Sequence, residues 1–99
     1  MSFSRNMGYK IRFKYEALAQ LDSLYAYIRG RDRHSADLVI SRLHVFFIHL
    51  GTFPDLGRVT DKAQVRRFPV GKTGMVVFYT FNDRDVTILR ILHAHQLKK

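Results

Sequence analysis

The spacing of apolar residues changes twice along this chain, and each change dictates a different kind of element. Residues 9–15 (YKIRFKY) alternate, with Tyr9, Ile11, Phe13 and Tyr15 to one side and Lys10, Arg12 and Lys14 to the other. That is the period of a half-buried strand with a basic outer face. From residue 16 the period lengthens. Leu18, Leu21, Leu24/Tyr25 and Ile28 recur at three and four, which predicts a helix over 16–30. Ala36, Val39/Ile40, Leu43, Phe46/Phe47 and Leu50 predict a second helix over 36–50. Beyond residue 63 the β-branched and aromatic residues return in short runs, 64–70, 74–82 and 85–93, separated by tight turns. Two amphipathic helices must bury their stripes, and one face of a sheet offers the place. The expected fold is therefore α+β in the order β-α-α-β-β-β, a helix hairpin packed on one face of a mostly antiparallel four-stranded sheet.

Punctuation agrees with this order. Gly30 and Gly51 stand at the expected helix ends, and RDRHS (31–35) reads as the turn between helices, with Asp32 or Ser35 as a cap. So short a connection makes the hairpin antiparallel. TFPDLGRVTDKA (52–63) lacks any period and reads as loop. Gly71 and Gly74 are expected to supply positive φ angles in the GKTG turn. Residues 1–8 read as a flexible leader and 9–99 as a single domain. Val45 and Ile48 widen the second helix's apolar stripe. They mark either a broad core face or a groove for a partner segment.

Composition narrows the function. Seventeen Lys or Arg against eight Asp or Glu leave a net charge of +9, which points to an anionic partner, nucleic acid or acidic protein. The chain has no cysteine, which excludes disulfides, thiolate metal sites and a cysteine nucleophile, and suits the cytoplasm. No apolar run approaches the roughly 20 residues of a membrane span, and no membrane partner is expected. No metal or cofactor is expected either: His34, His44 and His49 lack ligand spacing, and GKTG lacks the spacing of a phosphate loop.

The candidate site lies on the sheet face that the helices leave uncovered. Phe68 and Val70 are expected to face the helices, which places Arg67 on the open side. Strict alternation groups Val86, Ile88 and Leu92 against Leu89, Ile91 and His93, with Arg90 interrupting the first set. A charge there needs water or an anion, so Arg90 is read as lining the open face near Arg67, or as snorkelling from apolar neighbours. His93 and His95 share a side. Beside Arg67 and Arg90 they would resemble a phosphodiester site, with a base for proton transfer and guanidiniums for the oxyanion. The acid/base partner is missing: Glu16 is the only Glu, and no Asp falls inside the last strands.

Three segments together resemble the ParE/RelE superfamily of toxins from type II toxin–antitoxin pairs, the ParE branch most closely. They are EALAQLDSLYAYI (16–28), the stretch 31–58 with its F-P-x-L-G-R loop (Phe53, Pro54, Leu56, Gly57, Arg58), and 65–96 with Leu89-Arg90-Ile91-Leu92-His93. The resemblance implies a helix hairpin on a sheet and neutralisation by an antitoxin whose acidic segment lies over the helices and against the sheet. Operator DNA would be met only through the antitoxin. A ParE-like chain would inhibit DNA gyrase without being an enzyme. A RelE-like chain would cut mRNA on the ribosome, with Arg67, Arg90, His93 and His95 as the catalytic set. No Tyr follows the two sheet arginines, and Gln96 stands where Arg-Asp is common. The missing Tyr leaves the ribonuclease set incomplete, and the long helices (16–30 and 36–50) favour the ParE branch. For antitoxin contact the resemblance and charge nominate Arg58, Arg67, Arg90 and the outer face of the hairpin.

Overall fold

The structure, a computed structural model, describes residues 2–3 as backbone and 8–94 with side chains. A strand β1 (Ser2–Phe3) is followed by β2 (Lys10–Phe13), then helices α1 (Tyr15–Arg31) and α2 (Arg33–Thr52). A 3₁₀ turn (Pro54–Leu56) leads into the short strand β3 (Arg58–Val59), and the chain ends in β4 (Arg66–Val70), β5 (Met75–Phe81) and β6 (Asp85–His93). The sheet order is β1-β2-β6-β5-β4-β3. The β2–β6 pair is parallel and the other pairs are antiparallel. The four expected strands are all present, and the hairpin covers one face. Two residues of the leader, Ser2–Phe3, extend the sheet beyond β2, and Arg58–Val59 extends it beyond β4.

The helices are longer than their stripes suggest because the turn between them shrinks to one residue. Asp32 leaves the helical region at φ −161° and serves as the N-cap of α2. Its carboxylate accepts from the His34 N–H at 3.1 Å and from the Ser35 hydroxyl at 2.7 Å. These bonds, the Ser35 hydroxyl first, hold the carboxyl below the usual aspartate range. Gly30 and Gly51 lie inside the helices rather than past their ends. The hairpin is antiparallel. The Tyr25 hydroxyl donates to Asp37 at 3.3 Å, and Leu21 shares a cleft with Ile40 further from the break.

The core lies between hairpin and sheet. Ala17 of α1 and Leu43, Phe46, Phe47 and Leu50 of α2 meet Ile11, Val77, Tyr79, Val86, Ile88 and Ile91. Burying side chains such as Leu43 and Leu50 stabilises by about 1.5–3 kcal/mol each. Phe47 meets Phe13 edge-on at 5.1 Å, and Phe46 stacks on Phe68 at 4.8 Å. Where β2 stops at Phe13, the Ile91 N–H of β6 loses its strand partner. The Gln20 side chain of α1 accepts from it at 2.8 Å, so a polar helix residue completes the sheet edge. Tyr15, expected on the core side of the first strand, instead opens α1 and is exposed.

Two local expectations change. In the GKTG turn, positive φ falls on Lys72 and Gly74 rather than on Gly71. A bulge also breaks strict alternation in β6. Phe78 pairs with Arg90, but its neighbour Tyr79 pairs with Ile88, so Leu89 is the extra residue. Val86 and Ile88 therefore share the helix face with Ile91 and His93, while Arg90 and Leu92 take the opposite face.

Candidate functional site

Register places three arginines in one line. Arg58 of β3 lies opposite Arg67 of β4, Arg67 opposite Phe78 of β5, and Phe78 opposite Arg90 of β6. Residues directly opposite share a face, so Arg58, Arg67, Phe78 and Arg90 form a row across four strands, on the side turned away from the helices. Phe68 settles which side that is. It neighbours Arg67 on β4 and stacks on Phe46 of α2. The Arg90 guanidinium carbon lies 4.8 Å from the centroid of the Phe78 ring, a cation–π contact. The ring beneath is only 9% exposed. All three arginines are exposed.

Arg90 thus lies on the open face as the sequence suggests, and the bulge is the reason. It removes the guanidinium from the set of Val86 and Ile88, so no charge sits in the core face. Arg58 joins the row although its segment reads as loop. Only the pairing of β3 with β4 reveals this.

His93 does not join the arginines. It lies opposite Met75, which is buried in the core between sheet and hairpin. His93 is three positions beyond Arg90, an odd step, so the two side chains leave β6 on opposite faces. Its imidazole instead lies against Gly74. A Cβ at that glycine would stand 2.9 Å from Nε2. The expected juxtaposition of His93 with Arg67 and Arg90 is therefore corrected. His95 lies outside the described residues.

A second feature sits on the helix side. Leu38, Ser41, Arg42, Val45, Phe46 and His49 of α2, Leu56 of the 3₁₀ turn, Phe68 and Val70 of β4, and Gly71 just after it line an open groove of ≈ 490 Å³. Val45 is 51% exposed and Leu38 43%. The widened stripe of α2 is thus partly a groove wall: Val45 lines it, whereas Ile48 is half-buried. Arg42 and His49 give this apolar trough a basic rim.

The groove's far wall is fastened by a latch that sequence patterns do not show. The Tyr79 hydroxyl accepts from the Gly57 N–H at 2.7 Å and donates to the Pro54 carbonyl at 2.8 Å. Burial pushes this hydroxyl above the ordinary tyrosine value, which keeps the donating form. Arg66 adds bonds to the carbonyls of Asp55 (3.2 Å) and Gly57 (2.8 Å) and lies over Phe81. Together these groups fix the F-P-x-L-G-R loop and hold Leu56 at the groove edge. A metal could find no set of three His, Cys, Asp or Glu ligands among the described residues. No helix among them is long and apolar enough to cross a membrane.

Comparison with known proteins follows the same lines. Residues 11–97 match the family described as the ParE toxin of the type II toxin–antitoxin system parDE. A Sinorhizobium fredii (strain NBRC 101917 / NGR234) protein named "Putative toxin Y4kP" is 32% identical over 87 residues, spanning 88% of this chain and 90% of that protein. A chain of the chromosomal ParDE toxin–antitoxin system from P. aeruginosa superposes with a TM-score of 0.74 at 17% identity, over 84% of this chain and 92% of that one. A chain of the E. coli DinJ-YafQ toxin–antitoxin complex superposes at 0.54 with 12% identity, over 94% and 100% of the two chains. At these identities the structural matches speak to the fold alone.

Proposed function

Because this chain belongs to the ParE toxin family of type II toxin–antitoxin systems, we propose that it acts by binding DNA gyrase, without chemistry of its own, and is neutralised by an acidic antitoxin. The gyrase target rests on family membership. The non-enzymatic part is carried by one observation: Arg67 and Arg90 lie on the sheet face opposite His93. Transfer of a proton needs donor and acceptor within hydrogen-bond reach of the group that the guanidiniums would hold. An antitoxin segment finds complementary features on both sides of β4. Its apolar side chains fit the groove beside Val45 and Leu56, and its carboxylates pair with Arg58, Arg67 and Arg90. The net charge of +9 speeds the encounter with an acidic chain.

Purified gyrase supercoiling a relaxed plasmid tests the target. Added toxin should abolish supercoiling, and equimolar antitoxin should restore it. Undiminished supercoiling at high toxin, with codon-spaced cuts in translated mRNA by primer extension, would replace this reading with the ribonuclease one. Arg90→Glu should weaken antitoxin binding about tenfold at low salt and less at high salt, because an exposed charge pair is screened. Equal affinities of mutant and parent at both salt concentrations would remove Arg90 from the antitoxin interface.

A further inference from the structure

The arginine row has a property that a folded protein rarely keeps without cause. Like charges directly opposite each other on neighbouring strands are destabilising, and Arg58 faces Arg67 in register. The ion pair found between described residues, Arg12 with Asp85 at 3.4 Å, lies away from the row. Strand spacing of about 4.8 Å sets Arg58 and Arg67 one strand apart, and Arg67 and Arg90 two strands apart. Each guanidinium presents a planar fork of donors that matches phosphate oxygens.

We infer that Arg58, Arg67 and Arg90 form a strip that grips the phosphodiester backbone of duplex DNA without reading its sequence, and that an acidic antitoxin segment competes for the same strip. The competition rests on the antitoxin reading above, whereas the DNA strip does not. Duplex is favoured over single strands by the aromatic in the row. Proteins that hold single strands pair a basic surface with exposed rings on which unstacked bases lie. Phe78, the ring in this row, is buried beneath Arg90. The strip thus offers charge to a backbone and no platform to a base. A toxin that holds DNA beside its protein target would be concentrated where a DNA enzyme works, and occupation of the strip by carboxylates would release it.

The test is fluorescence anisotropy of a labelled 20-base-pair DNA duplex titrated with the free full-length chain over a range of salt. Three phosphate contacts give a slope of log affinity against log salt of about −2.7, at −0.9 per contact on duplex. Changing all three arginines to Gln should remove nearly all of that slope. The Arg58→Gln, Arg67→Gln double variant, which leaves the Arg90–Phe78 contact intact, should remove about two-thirds. A charge-matched triple at the hairpin tip, Arg29→Gln, Arg31→Gln and Arg33→Gln, should keep it. An unchanged slope in the row variants, an equal loss in the tip variant, or tighter binding to the single-stranded 20-mer would overturn the strip. Poly-L-glutamate should displace the duplex from the parent chain, and failure to do so would refute the competition. If the row variants lose DNA but keep full antitoxin affinity, the strip stands and the antitoxin assignment of these arginines falls. If they lose antitoxin but keep DNA, the strip falls and that assignment stands.

Discussion

Replacing Gly57 by alanine should lower the stability of the domain by about 3 kcal/mol, one of the largest effects expected of any single methyl group here. A Cβ at this position would stand 2.7 Å from the Tyr79 hydroxyl, 2.8 Å from the Arg67 carbonyl oxygen and 2.9 Å from a Tyr79 ring carbon. Two of those three atoms belong to a fully buried side chain, and the third to the backbone of β4. None can swing aside. Overpacking of a tight site costs about 1–3 kcal/mol. Displacing the hydroxyl also endangers its bonds to the Gly57 N–H and the Pro54 carbonyl, and buried groups left unpaired cost about 1–3 kcal/mol more. For a domain of this size the loss corresponds to a fall in melting temperature of about 12–24 °C. Thermal unfolding by circular dichroism measures it, and a fall below about 4 °C would show that the loop relaxes away from Tyr79. Tyr79→Phe separates the two contributions. It removes the hydroxyl without adding volume, and should destabilise by the smaller amount that the lost hydrogen bonds supply.

Val45→Glu should leave the fold intact and reduce antitoxin affinity about 100-fold, or about 2.8 kcal/mol. Half of Val45 is exposed in the free chain, and glutamate suits a helix better than valine does. Surface changes of this kind stay within about 0.5 kcal/mol of the parent in stability. In the complex the same position lies beside Leu38, Phe46 and Leu56, where an apolar anchor of the partner would sit. A carboxylate there opposes that anchor and repels the acidic residues around it. Isothermal titration calorimetry with purified antitoxin measures the change, and growth arrest that the antitoxin no longer relieves is its cellular counterpart. An unchanged affinity together with an unchanged melting temperature would move the docking site away from the groove. The test is independent of the arginine row, because groove and row lie on opposite faces of β4.

Much of this arrangement is legible in the sequence because it depends on local periodicity. The two period changes locate the helix hairpin and four strands, and parity along 64–70 correctly separates Arg67 from Phe68. The parts that escape depend on a partner strand. Nothing within 85–93 marks Leu89 as an extra residue, because a bulge is defined by what lies opposite it, here the pairing of Phe78 and Tyr79. Arg58 joins the row only through β3, too short at two residues for any alternation to show. The latch joins Tyr79 to residues more than twenty positions earlier, and Tyr79 by itself reads as one more aromatic in an apolar strand. His93 is the opposite case. Counting along the strand sets it three positions from Arg90, hence on the other face.

The sheet order has a consequence for how the molecule folds. The last of the described strands along the chain, β6, stands inside the sheet, between β2 and β5. The first strands, β1 and β2, gain their place beside β5 and β4 only through it. Without the residues from Asp85 onward, β1 and β2 have no strand to join them to β3, β4 and β5. The pairing of Ile11 with Val86 closes a loop spanning most of the chain, a slow step by its topology. The sheet therefore closes only once β6 is in place to join its two halves.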